Sequence, residues 1–131
     1  MKSTGVPSRK PARSAIAGWP VKFVSERLRR IQTLVLAGDY LITSHGFDEI
    51  AKDGILPHEV IESITTAVVI EDSPERHRGL TLLALHRDAN GRPVHVVWGI
   101  PAGERRPAVL VTAYRPDPRQ WDGEFKTRIR R

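Results

Sequence analysis

Gly79-Leu-Thr-Leu-Leu-Ala-Leu-His-Arg-Asp-Ala-Asn-Gly-Arg-Pro-Val-His-Val-Val-Trp-Gly-Ile100 decides the architecture. Two apolar runs, 79–87 and 93–100, flank a polar stretch that contains Asn90-Gly91. Asn-Gly between such runs is the strongest short-range hairpin signal. With Asn90 and Gly91 as the two central turn residues, Ala89 faces Arg92, Arg87 faces Val94 and His86 faces His95. Facing side chains have Cβ atoms about 5 Å apart. Two imidazoles that close repel when both are charged, so one pKa falls. One neutral and one charged imidazole is the combination that acid–base cleavage of RNA uses. Two polar residues on an exposed sheet face give the same pattern, and a four- or five-residue loop would set another register. Val94, Val96 and Trp98 share the alternate positions of the second run, which makes Trp98 a core residue.

Working outward, Ala67–Asp72 and Ala108–Tyr114 read as two further strands with short polar connections. Upstream, the period is helical. Leu28, Ile31, Leu34 and Val35 predict a helix over about 25–37, capped by Ser25 and ended by Gly38. Tyr40–Thr43 is short and β-like. Ser44 is read as the cap of a second helix, 45–53, with Phe47, Ile50 and Ala51 inward and Gly54 closing it. Pro57 opens a third helix, 57–66, with Val60, Ile61 and Ile64 inward. The expected fold is α+β: N-terminal helices packed on one face of a four-stranded antiparallel β-meander. Residues 1–20 read as a flexible basic arm, 21–122 as a single domain and 123–131 as a basic tail, with Trp121 and Phe125 docking back.

The chain has 131 residues, and 40% hydrophobic with 27% charged content excludes wholesale disorder. No apolar run approaches the length of a membrane span, and no secretory signal is visible. The absence of cysteine excludes disulfides and thiolate metal sites. A cytoplasmic location and a chain without cofactor fit these features. The net charge of +6 is concentrated at the ends. Residues 1–20 carry Lys2, Arg9, Lys10 and Arg13 with no acid, and residues 115–131 carry six bases against Asp117, Asp122 and Glu124. Basic runs of this kind meet polyanions such as RNA, or serve as solvated tails.

Phosphate-binding loops, dinucleotide fingerprints, His-Glu-x-x-His and nucleophile elbows are absent. Five histidines remain. His45 stands at a helix start, where the positive helix end favours a neutral ring that acts as base or acceptor. His58 reads as surface, and His77 lies in a charged loop. No two histidines have the i, i+4 spacing of a zinc pair, so a metal site has little support. Thr112 and Tyr114 share one strand face and Arg115 follows, a hydroxyl, a phenol and a guanidinium suited to a phosphate. Ordinary cross-strand packing accounts equally for Thr112 and Tyr114. Substrate contacts are expected from His86, Lys52 and Arg87.

Tyr40-Leu-Ile-Thr-Ser-His45, Gly54-Ile55, Glu59-Val-Ile61, Val69-Ile-Glu-Asp72, Gly91-Arg-Pro-Val-His-Val-Val97, Val111-Thr-Ala-Tyr-Arg-Pro-Asp117 and Trp121 together resemble a bacterial domain-of-unknown-function family, number 4258. The resemblance spans about 40–121. One departure is the helix after His45, which carries Lys52 as its only base where the family usually has an arginine or two. The family is in turn similar to the RelE-type ribonuclease toxins and their BrnT relatives. That resemblance implies a RelE- or barnase-like fold and a metal-independent endoribonuclease of a type II toxin–antitoxin pair, with RNA and a cognate antitoxin as partners. It implies a cleft lined by His45, His95, Thr112, Tyr114 and Arg115. A histidine would take the ribose 2′-OH proton, and Arg115 would stabilise the charged phosphorane. The competing reading is a non-catalytic nucleic-acid- or protein-binding module that uses the basic ends. A metal hydrolase built on the histidines is a third.

Overall fold

The computed structural model describes residues 25–73 and 79–129. The arm 1–20 and His77 lie outside these residues. Ser25 caps α1 (Glu26–Leu36): its hydroxyl accepts from the Leu28 amide at 3.0 Å. Gly38 ends the helix at φ +79°, a conformation that glycine adopts without a Cβ penalty. After β1 (Tyr40–Ile42), Thr43 rather than Ser44 caps α2 (Ser44–Lys52), accepting from the Gly46 amide at 2.8 Å. Pro57 opens α3 (Pro57–Glu62), which tightens into a 3-10 turn at Ser63–Thr66. Four strands follow: β2 (Val68–Ser73), β3 (Gly79–Arg87), β4 (Pro93–Pro101) and β5 (Ala108–Tyr114).

The fold class is α+β with helices on one face, as expected, but the sheet is five-stranded and mixed. Its order is β1-β5-β4-β3-β2, and β1 lies parallel to β5. The β2–β5 meander is antiparallel. The parallel fifth strand corrects the four-stranded expectation. Tyr40–Thr43 reads as β-like, but so short a segment carries no sign of a partner 68 residues downstream.

One face of the sheet forms the core. Leu82, Ala84, Val94, Val96, Trp98, Ile100, Leu110 and Ala113 meet Leu28, Ile31 and Val35 of α1, Ile50 of α2 and Val60 and Ile64 beyond. Val60 and Ile64 point inward as expected. On α2 only Ile50 does so: Ala51 is exposed and Phe47 half-exposed. The reason is where α2 lies. It begins where β1 ends and runs along the remaining edge of β5, with Thr43 N and Oγ1 donating to the Leu110 and Val111 carbonyls. This covers backbone that would otherwise be an open sheet edge. Gly46 makes the approach possible: a Cβ there would lie 3.1 Å from the Leu110 oxygen and 3.2 Å from that of Val111. Both are backbone atoms within the sheet. Gly46→Val is therefore expected to destabilise the domain by about 2 kcal/mol, measured by urea unfolding. An unchanged urea midpoint would contradict this packing.

Candidate functional site

The β3–β4 hairpin does not turn at Asn90-Gly91 alone. Asp88 N donates to the Arg92 carbonyl and Gly91 N to the Asp88 carbonyl, both at 2.9 Å. Gly91 has φ +79°. This is a type I turn followed by a left-handed glycine, with three loop residues. The Asp88 carboxylate fastens it, accepting from the amides of Asn90 and Arg92 at 2.9 Å each. The register moves by one residue: His86 pairs with Val94, and His95 with Leu85. A one-residue slip turns side chains to opposite faces. The expected facing pair of His86 and His95 is thus corrected, because the two imidazoles lie on opposite sides of the sheet.

His86 belongs to the helix-facing core and is 1% exposed. Trp98 Nε1–H donates to its Nε2 at 3.0 Å, and an indole N–H can only donate. The ring proton is therefore on Nδ1, which donates to Ser63 Oγ at 2.8 Å. The Ser63 hydroxyl donates onward to the Val60 carbonyl at 2.9 Å. Burial pulls the His86 pKa down to about 4 against a smaller opposing effect of the Val60 carbonyl. This histidine is a satisfied structural residue that reaches no solvent, so the expected substrate contact from His86 is not met.

His95 lies on the outer face with Thr112 and Tyr114; Tyr114 is its direct cross-strand partner. The Tyr114 ring meets it edge-on at 5.5 Å. Residues 120–129 form a small hairpin that closes over this spot. Ile129 N donates to the Gln120 carbonyl and Asp122 N to that of Thr127. The Asp122 carboxylate accepts from the amides of Glu124 and Lys126. The hairpin takes in residues 123–129, which the sequence reading assigns to a tail. Trp121 and Phe125 dock back as expected: the Trp121 ring stands 4.4 Å from that of His95, and the Phe125 carbonyl lies 2.8 Å from His95 Nε2. Phe125 has φ +63°, a left-handed conformation that costs about 1 kcal/mol for such a residue. His95 is fully buried, and its Nδ1 has no hydrogen-bond partner. Burial lowers the His95 pKa; the Phe125 carbonyl and Glu71 oppose this, and Arg128 adds to it. Burial also raises the Tyr114 pKa.

The remaining expected residues lie elsewhere. His45 is exposed at the start of α2. Arg115 is at the other end: its amide donates to Asp53 Oδ2 at 2.8 Å, just past the end of α2. Eight residues of helical rise separate His45 from Asp53, about 12 Å. The Arg115 guanidinium spans the hairpin base, bonded to Asp88 Oδ2 at 2.7 Å and the Pro93 carbonyl at 3.1 Å. For Asp88, burial raises the carboxyl pKa, but the Arg92 amide, Arg115 and the Asn90 amide outweigh it and leave the pKa lowered. Lys52 and Arg87 are exposed; Lys52 pairs with Glu49 at 3.2 Å, and Arg87 bonds the Gly91 carbonyl.

The structure therefore gathers His95, Tyr114 and Thr112 on one face and leaves His45, Arg115 and His86 apart. Sequence reasoning missed Asp88 and Ser63, the two residues that fix the hairpin and the core imidazole. The readable signal for Asp88 was Asp at the first and Gly at the fourth turn position. No group of three or more metal-ligating side chains occurs among the described residues. No helix among them is long and apolar enough to cross a membrane.

Comparison with curated proteins and with solved structures gives no significant match in either set. The family model described as Domain of unknown function (DUF4258) matches residues 42–115, from the last residue of β1 through Arg115 at the hairpin base. This is more than half of the chain, and the chain belongs to that family.

Proposed function

We propose that this chain is a non-catalytic nucleic-acid-binding protein that meets its polyanion through basic segments attached to the domain. The dispersal of the acid–base side chains carries this reading. Metal-independent RNA cleavage needs a base, an acid and a cation around one phosphodiester. Here the exposed imidazole of His45, the buried imidazole of His95 and the engaged guanidinium of Arg115 occupy separate places.

Charge distribution supports the same reading. Of the 21 bases, nine lie outside the described residues (Lys2, Arg9, Lys10, Arg13, Lys22, Arg76, Arg78, Arg130 and Arg131), against Glu75 alone of the 15 acids. The remaining 12 bases face 14 acids, so cation excess resides in the attached segments.

Fluorescence anisotropy of a labelled single-stranded RNA with the full chain tests the proposal. Affinity should fall steeply with salt, and deletion of residues 1–20 should reduce the log–log slope by up to about 3. The RNA should remain intact throughout. The second reading is the metal-independent endoribonuclease toxin held by an antitoxin. It is favoured by the common outer face of His95, Thr112 and Tyr114. RNA cleavage that persists in EDTA and disappears in His45→Ala would establish it and overturn the binding proposal. Arg115→Ala divides the readings further. It should cost about 2 kcal/mol of stability through the lost charged hydrogen bonds to Asp88 and the Pro93 carbonyl. RNA affinity per folded molecule should stay unchanged.

A further inference from the structure

We propose that the 120–129 hairpin is a proton-sensitive latch: the Phe125 carbonyl holds the neutral imidazole of His95, and protonation of that imidazole releases the hairpin from the outer sheet face. The closed geometry permits one proton on the ring. Nε2–H donates to the Phe125 oxygen at 2.8 Å, so the neutral ring leaves Nδ1 bare. Nδ1 is buried without a partner. A second proton there would make a buried N–H with no acceptor and a buried cation.

The charged and titratable groups facing His95 come from each element around it. Tyr114 of β5 lies across from it as a neutral phenol. Glu71 of β2 favours the charged ring, and Arg128 of the hairpin opposes it. These two already pair with each other at 3.4 Å. The Trp121 ring carries the Arg128 guanidinium 4.6 Å from its centroid, so a charged His95 would place a second cation beside the same ring.

The hairpin is the natural moving part. Its internal bonds are made among residues 120–129, and a lone two-stranded hairpin is marginal in water, so release from the sheet also frees these bonds. The chain leads into it through Pro116 and Pro118, after the last strand has ended. Release would uncover His95, which the Trp121 ring and the Phe125 carbonyl now cover. The proposal is independent of the binding function above.

Hydrogen exchange of the full chain, corrected for intrinsic rates, tests it between pH 7.5 and 5. The β3 and β4 amides exchange through global unfolding and follow the stability loss that His86 causes over this range. Below the ordinary imidazole pKa, each pH unit multiplies the open population by up to ten. Protection at Asp122, Phe125 and Ile129 should fall about tenfold, with an opening free energy that stays below that of β3 and β4 throughout. NMR titration of the His95 ring in the same chain should give the same midpoint. His95→Gln should remove the pH dependence. Constant hairpin protection, a single opening free energy common to the hairpin, β3 and β4, or an opening midpoint unrelated to His95 titration would each overturn the latch. The last measurement needs no variant, so the proposal stays falsifiable if His95→Gln does not fold.

Discussion

Trp98→Ala should remove about 4 kcal/mol of stability, the largest loss expected from one side chain here. Trp98 is fully buried, and its ring stacks on His86 at 6.1 Å between centroids. Truncation leaves a cavity where β3, β4 and α1 converge. It also takes the only N–H donor from His86 Nε2. Trp98→Phe separates the two effects. It retains most of the packing and loses the donor, at an expected cost of about 1–2 kcal/mol. Urea unfolding of both variants checks the division. Equal losses would mean that cavity volume is irrelevant at this position.

Stability should also decline on the acid side through His86. The ordinary imidazole pKa is 6.5, and burial takes this one to about 4. Between those values the unfolded chain binds the proton more readily than the folded chain. The contribution is therefore complete above about pH 6.5, falls with pH and is lost below about 4. The shift corresponds to about 3 kcal/mol. His95, whose pKa burial also lowers, acts in the same direction. Urea midpoints from pH 7.5 to 4 measure the loss. His86→Leu starts lower, because the Trp98 N–H is orphaned, but should show a flatter acid limb. The same acid limb in both proteins would exclude His86 as its source.

Much of the fold was legible because it rests on local signals. Ser25, Gly38, Gly54 and Pro57 mark helix ends, and the runs 79–87, 93–100 and 108–114 became strands. Trp98 was recognised as core from alternation alone. The site was less legible because it depends on one register. Asn90-Gly91 favours a two-residue turn, but the Asp88 carboxylate accepts two amides and selects the longer one. That choice moved His86 inward, onto the face of Val94, and left His95 on the outer face where alternation along β4 had put it. The hairpin over His95 was visible only as two aromatic residues, because its internal bonds are to backbone and to Asp122. The β-like segment at 40–43 was visible, but its parallel pairing was hidden, since its partner is far away in the chain.

The helix laid along β5 also limits which margin of the sheet is open to a further strand. With β1 only three residues long and α2 against the rest of that side, β2 is the long strand at a sheet margin among the described residues. A single open margin per molecule would allow two copies to pair about a twofold axis and no further growth. Growth into fibres requires two such margins, and Gly46 helps to remove the second.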